Sequence, residues 1–301
     1  MTKDLVFIAS GGRTGTQFLG DRLSEVIADC HSEHEPDLAL GLSRQTMRRI
    51  GRFGFWHMVA GRALGLTGVR VTGHKLLTGA ITEEVAFRRI RRARDGWHHS
   101  IPQGLVVESY SRWWMFAGRI RRIWPGAKTV GVIRDPRDWI GSWLRHRPAI
   151  HQRDIWFWFP VGALTPAAVG DTEWADRWDG LAQFGRLAWD WRTAYGTLDR
   201  AADAGEVRMY RFEDIFGPDP GHIADLVAYV ADHGERRYAV GDLGGFTSET
   251  RNASRGPRRS WPDWPDADAH LLDAMCGPLM RKYGYGTEPE WTAKVAAGAG
   301  A

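Results

Sequence analysis

The stretch Leu5-Val6-Phe7-Ile8-Ala9-Ser10-Gly11-Gly12-Arg13-Thr14-Gly15-Thr16-Gln17 decides the fold. Its first five residues form a short continuous apolar run, the pattern of a parallel strand buried on both faces. Ser10 to Gly15 is turn-rich, and beyond it Phe18, Leu19, Leu23, Val26 and Ile27 recur at helical spacing. Strand, glycine loop and helix in that order make an anion site. Glycines let backbone N–H groups turn inward, and the helix N-terminus adds positive potential. Arg13 and the hydroxyls of Thr14 and Thr16 supply further donors. The nucleoside-triphosphatase pattern G-x-x-x-x-G-K-[ST] is not met, because no Lys-Ser/Thr pair follows Gly15.

Outward from this opening, residues 69–73 and 104–108 read as further strands, the second followed by a basic helix over about 112–123. Residues 128–133 form a fourth strand that runs into Arg134-Asp135-Pro136-Arg137-Asp138 and a helix to about Arg145. Asp135 suits the N-cap, Pro136 the first helical position, and Asp138 puts a carboxylate in the first turn. A helix over about 181–202, a strand near 207–210 and a last helix over 267–282 complete the pattern. Alternating strands and helices predict an α/β fold: a P-loop-like central parallel sheet flanked by helices on both faces, with ligands at the carboxyl ends of the strands. One domain over 1–301 is expected. Its irregular segments, 147–180 and 241–266, are expected to form a loop-rich lid or closing loops.

The 301 residues are 43% hydrophobic and 25% charged, an ordinary globular balance. A net charge of +4 suits an anionic ligand. The same charge would suit nucleic acid, but the basic residues are dispersed and no nucleic-acid motif occurs, so no nucleic-acid partner is expected. Two cysteines, Cys30 and Cys276, are too few for a disulfide framework, and no Cys/His spacing resembles a zinc site. No signal-peptide pattern and no run of ~18 apolar residues is present, so a cytoplasmic chain without a membrane span is expected.

The loop and its flanks resemble the 5′-phosphosulfate loop of sulfotransferases that use 3′-phosphoadenosine 5′-phosphosulfate (PAPS). The missing Lys-Ser/Thr pair agrees, since a triphosphate donor normally needs a Mg²⁺ site that a less charged sulfuryl group does not. The resemblance implies that Arg13 contacts the 5′-phosphate and the bridging oxygen, while Gly12, Thr14, Gly15, Thr16 and Gln17 wrap the phosphate. Arg134 at a strand end and Ser142 about two turns into the next helix resemble the family's 3′-phosphate site. Arg208-Met209-Tyr210-Arg211-Phe212-Glu213-Asp214 looks like its late strand, with Tyr210 near the adenosine, and Arg255-Gly256 like its closing element. His31-Ser32-Glu33-His34-Glu35-Pro36, read as a polar turn, resembles a Glu-Pro element whose Glu is the base. That gives Glu35 the base role, with His34 the runner-up.

Gly73-His74-Lys75-Leu76 is similar to an element in which Lys75 orients acceptor or sulfate, and His74 is a further base candidate. Glu108 is a partner for Lys75 or Arg13. No metal is implied, and the product of the donor is 3′,5′-adenosine bisphosphate (PAP). Sixteen tryptophans suit a small-molecule, carbohydrate or natural-product acceptor, or simply pack the irregular segments. A P-loop-type kinase and a non-catalytic nucleotide-binding module stand as the alternatives.

Overall fold

Alternation inside the first strand sorts the core into two layers. Within β1 (Asp4–Ser10), Leu5, Phe7 and Ala9 belong to one buried cluster and Val6 and Ile8 to the other. The structure, a computed structural model, describes residues 3–38, 43–146, 160–247 and 260–299. Its elements run β1, α1 (Thr16–Val26), β2 (Cys30–His34), α2 (Arg44–Phe53), α3 (Val69–Leu77), α4 (Glu83–Ser100), β3 (Leu105–Ser109), β4 (Lys128–Ile133) and α5 (Pro136–His146). After them come α6 (Gln183–Asp203), β5 (Arg208–Arg211), α7 (Pro220–Ala231), α8 (Asp266–Lys282) and α9 (Pro289–Gly298). The five strands form one parallel sheet in the order β2-β3-β1-β4-β5. Helices α1 and α7 cover one face, while α4, α5, α6 and α8 build on the other. The α/β sheet expected from the sequence is therefore present. No helix among the described residues is long and apolar enough to cross a membrane.

Four local expectations are corrected. Residues 69–73, read as a strand from their β-branched run, belong to helix α3. Tertiary packing overrides propensity there, because Val69, Gly73 and Leu76 share one helical face. A Cβ on Gly73 would lie 2.7 Å from Met115, so only glycine permits that approach. The polar segment read as a turn at His31–His34 is the edge strand β2. Its Glu33 lies in register with Glu108 of β3, and Arg52 Nη1 donates to Glu33 Oε2 at 2.6 Å, relieving the like-charge pair. The expected helix over 112–123 breaks into a 3₁₀ turn, Ser111–Phe116, and a short helix, Ile120–Ile123. Gly118 between them has φ +74. Glu108, finally, pairs with neither Lys75 nor Arg13 but with Arg94.

That last pairing is the centre of a buried charge network. Arg94 Nε donates to both Glu108 carboxylate oxygens at 2.9 Å, and its Nη1 donates to Asp37 Oδ2 at 3.1 Å. His57 Nε2, from a π-helical turn at Trp56–Ala60, reaches Asp37 Oδ2 at 2.7 Å, and Arg62 Nη2 donates to the Asp37 carbonyl at 2.8 Å. Burial alone would raise the Asp37 pKa. The Arg94 charge and the His57 hydrogen bond override it and hold the group well below the ordinary carboxylate value. The network clamps the turn after β2 onto α4. Arg94→Met strands two buried carboxylates and should lower stability by about 3–5 kcal/mol, seen as a Tm fall of roughly 10 °C. The sign with pH follows from the depressed Asp37 pKa. Its contribution is complete above the unfolded value near ~3.9 and is lost as pH falls toward the folded value.

Candidate active site

All five strands point the same way, so the residues that follow them meet at one edge of the sheet. They are Gly11 after β1, Glu35 after β2, Tyr110 after β3, Arg134 after β4 and Phe212 after β5. The phosphate-type loop lies at the middle strand of this edge. Its backbone turns through φ +85 at Gly12, +58 at Arg13 and +72 at Gly15. A Cβ on Gly15 would sit 2.5 Å from the Phe216 ring, and one on Gly12 would sit 3.1 Å from Trp143. Ser10 Oγ accepts from the Gly12 N–H at 2.9 Å, Trp139 Nε1 donates to the Gly12 carbonyl at 2.7 Å, and Ser109 Oγ donates to the Thr16 carbonyl at 2.6 Å. Three buried side chains thus fix the loop, Ser10 as acceptor and Trp139 and Ser109 as donors.

The two anion elements read from the sequence come together. Arg13 Nε donates to Ser142 Oγ at 3.1 Å, and Arg134 Nη1 donates to the Arg13 carbonyl at 3.0 Å. Burial, reinforced by the Arg134 and Arg145 charges, lowers the Arg13 pKa, so three guanidiniums act on one another here. Arg134 also lies over the Phe212 ring, 4.5 Å from its centroid, and Trp191 Nε1 donates to its carbonyl at 2.9 Å. Glu213 Oε1 accepts from the Asp135 N–H at 3.0 Å and so helps set the end of β4. Asp135 caps α5 as expected, accepting from the Arg137 N–H at 2.8 Å. Arg137 itself is held by Asp135 and by Glu288 of the loop before α9, and packs against the Trp261 and Trp291 rings. It is a structural tie, not part of the crevice.

Glu35 has φ +46 and is anchored by its N–H, which donates to the Ser109 carbonyl at 3.0 Å. Burial pushes its pKa up to about 7; Arg112 opposes the rise and Asp37 adds to it. His34 Nε2 lies 3.8 Å from Glu35 Oε2, and burial brings its pKa down to about 4, so its imidazole is neutral. His74 lines a pocket with Gly11, Arg70, Arg112 and the indoles of Trp114 and Trp143. Its Nε2 is buried with no hydrogen-bond partner among the described residues, and burial lowers its pKa. Lys75 is the next residue of α3, with Nζ 3.4 Å from the Cβ position of Gly65.

Other expected residues are distributed less tightly. Thr14 and Thr16 are buried in the loop, and Gln17 is exposed. Tyr210 turns toward α7, its hydroxyl donating to the Asp225 carbonyl at 3.5 Å, so Phe212, two residues on, is the aromatic against Arg134. Arg255 and Gly256 lie outside the described residues, as do Trp156 and Trp158. Trp174 is core, and Trp178 meets Trp189 edge-on at 5.3 Å. Sequence reasoning missed Asp37, Arg70, Arg94, Arg112 and Phe216. The available signal was charge asymmetry, since no Asp or Glu occurs from Leu38 to Thr82.

No family model and no curated protein matches the chain. Among solved structures it is similar to a sulfotransferase from Alicyclobacillus acidocaldarius at 15% identity and a TM-score of 0.42, covering 97% of this chain and 100% of that one. It is also similar to a sulfotransferase domain from the curacin biosynthetic pathway at 13% identity and a TM-score of 0.37, covering 98% and 97%. What the site can do is decided by its own side chains.

Proposed function

We propose that the chain is a sulfotransferase, moving the sulfuryl group of PAPS onto a hydroxyl or amine of a small acceptor. The observation that carries this reading is the direct linkage of Arg13, Ser142 and Arg134, which joins a phosphate-type loop to a second anion site at one strand edge. The donor set fits a ligand with two phosphates. The Thr14 hydroxyl and the Arg134 Nε are buried without a partner among the described residues, and the positive φ of Gly12 and Gly15 gives the loop its turn. Arg13 and Glu35 are two of the three non-glycine residues with positive φ among those described. Strain held at two residues of one edge favours a reacting site.

When bound, PAPS supplies a sulfuryl group whose bond to the 5′-phosphate oxygen breaks as the acceptor oxygen or nitrogen bonds to sulfur. Arg13 and the loop N–H groups stabilise the negative charge left on that phosphate oxygen. Arg134 and Ser142 hold the 3′-phosphate. Glu35 takes the acceptor's proton, and a base with a pKa near 7 suits that task better than His34 near 4. His74 is a second reading for the base, favoured by its place in the pocket beside Gly11.

Calorimetric titration tests the nucleotide half. PAP should bind at least ~10-fold tighter than 5′-AMP, about the strength of one charge-assisted phosphate contact, and tighter than ATP with Mg²⁺. Preference for ATP with Mg²⁺ would move the kinase reading to the front. PAP binding without transfer to any acceptor would favour the non-catalytic module.

A further inference from the structure

The pocket beside the loop has a chemistry that the donor does not account for. Its lining holds Arg70 of α3 and Arg112 of the 3₁₀ turn after β3, and Trp114 and Trp143 supply flat apolar surface. Among the described residues it holds one carboxylate, Asp190 of α6. The elements that cradle the second anion, Arg134 over Phe212 with Phe216 against Gly15, are not among its walls. The pocket adjoins the loop through Gly11, and Trp139 and Trp143 of its lining also meet Gly12.

We infer that this pocket binds an acceptor with a flat apolar body and an anionic group, a carboxylate or an ester of phosphate or sulfate, held by Arg70 and Arg112. The inference rests on the proposed transfer reaction for the word acceptor, but the pocket's preference for an anion is a binding property of its own. Among the described residues two guanidiniums sit in the lining against one carboxylate, so an incoming anion meets net positive charge there. The surrounding chain strengthens that field: Leu38 to Thr82 carries six arginines and one lysine and no acid. Among the nearby acids, Asp37 is already engaged by Arg94 and His57, and Glu35, which feels the Arg112 charge, is held partly protonated near neutral pH by burial. Burial, with Arg112 close by, brings the Arg70 pKa down to about 10, the direction that crowding of like charges in a half-closed pocket produces. A guanidinium recognises a carboxylate or phosphate in bidentate geometry, while the indoles contact the body.

The test is equilibrium binding of paired probes, followed by calorimetry with and without saturating PAP. The pairs are 4-hydroxybenzoate, 4-hydroxyphenylacetate and 6-hydroxy-2-naphthoate, each against its neutral methyl ester. At least one acid should bind about 10-fold or more tighter than its ester. Arg70→Gln and Arg112→Gln should each reduce that ratio to below about threefold, with Tm and PAP affinity near those of the parent. A ratio near one for all pairs, ester preference, or a ratio that survives both substitutions overturns the inference. Failure of PAP to bind while the acid preference persists would instead sink the sulfuryl-transfer reading and leave the anion pocket standing.

Discussion

Glu35→Gln should lower turnover by about 10²–10⁴-fold while PAP affinity stays within about twofold of the parent. Glutamine keeps the shape of the side chain and can still accept a hydrogen bond, but it cannot take a proton. The residue sits after the edge strand β2, away from the Arg13–Ser142–Arg134 linkage, so nucleotide binding has no reason to follow it. Turnover surviving in Glu35→Gln and lost in His74→Asn would transfer the base role to His74.

The pH profile separates the same two residues by sign and position. A general base works in its deprotonated form, so the rate rises with pH and levels off above the base's pKa. Burial has moved Glu35 up to about 7, and the rising limb should be centred there and vanish in Glu35→Gln. Burial moves His74 the other way, so a limb set by His74 would lie below the ordinary histidine value of ~6.5. His34, at about 4, would already be deprotonated across the neutral range and would give a flat profile there.

The opening strand, loop and first helix were legible because their signal is local. An apolar run, glycines and 3.6-residue spacing all lie within one stretch, and β1 and α1 formed as read. The same holds for β4 and α5, where Asp135 and Pro136 mark the helix start on the chain itself. What stayed hidden depends on partners distant in sequence. The alternating Val69-Arg70-Val71-Thr72 run says strand, whereas the helix buries Val69, Gly73 and Leu76 on one face, with Met115 close against Gly73. Asp37 looks like a surface acid until Arg94, 57 residues on, is placed against it. The tryptophans were ambiguous for a related reason. An indole is both an apolar plate and a donor, and Trp139 and Trp191 use their N–H groups to hold the Gly12 and Arg134 carbonyls. Their contribution to the site is support from beneath.

Arg134→Ala should weaken PAP by about 10²–10⁴-fold, the loss of two charge-assisted hydrogen bonds at roughly 1.5–3 kcal/mol each. Two roles fail together. The guanidinium is a 3′-phosphate ligand in the proposed complex, and its Nη1 also supports the Arg13 carbonyl, where the backbone stands at φ +58. The affinity for 5′-AMP should therefore fall as well, though by less, because only the second role concerns the 5′-phosphate. Arg137→Ala is the contrasting variant within the same Arg-Asp-Pro-Arg segment. Arg137 is buried, bound to Asp135 and Glu288 and packed against both Trp261 and Trp291, so its removal should cost stability and leave the PAP to 5′-AMP ratio intact. Calorimetry and thermal melting on both variants read the two effects separately. A ratio unchanged in Arg134→Ala, or collapsed in Arg137→Ala at temperatures where it remains folded, would mean that the second phosphate binds elsewhere than at the end of β4.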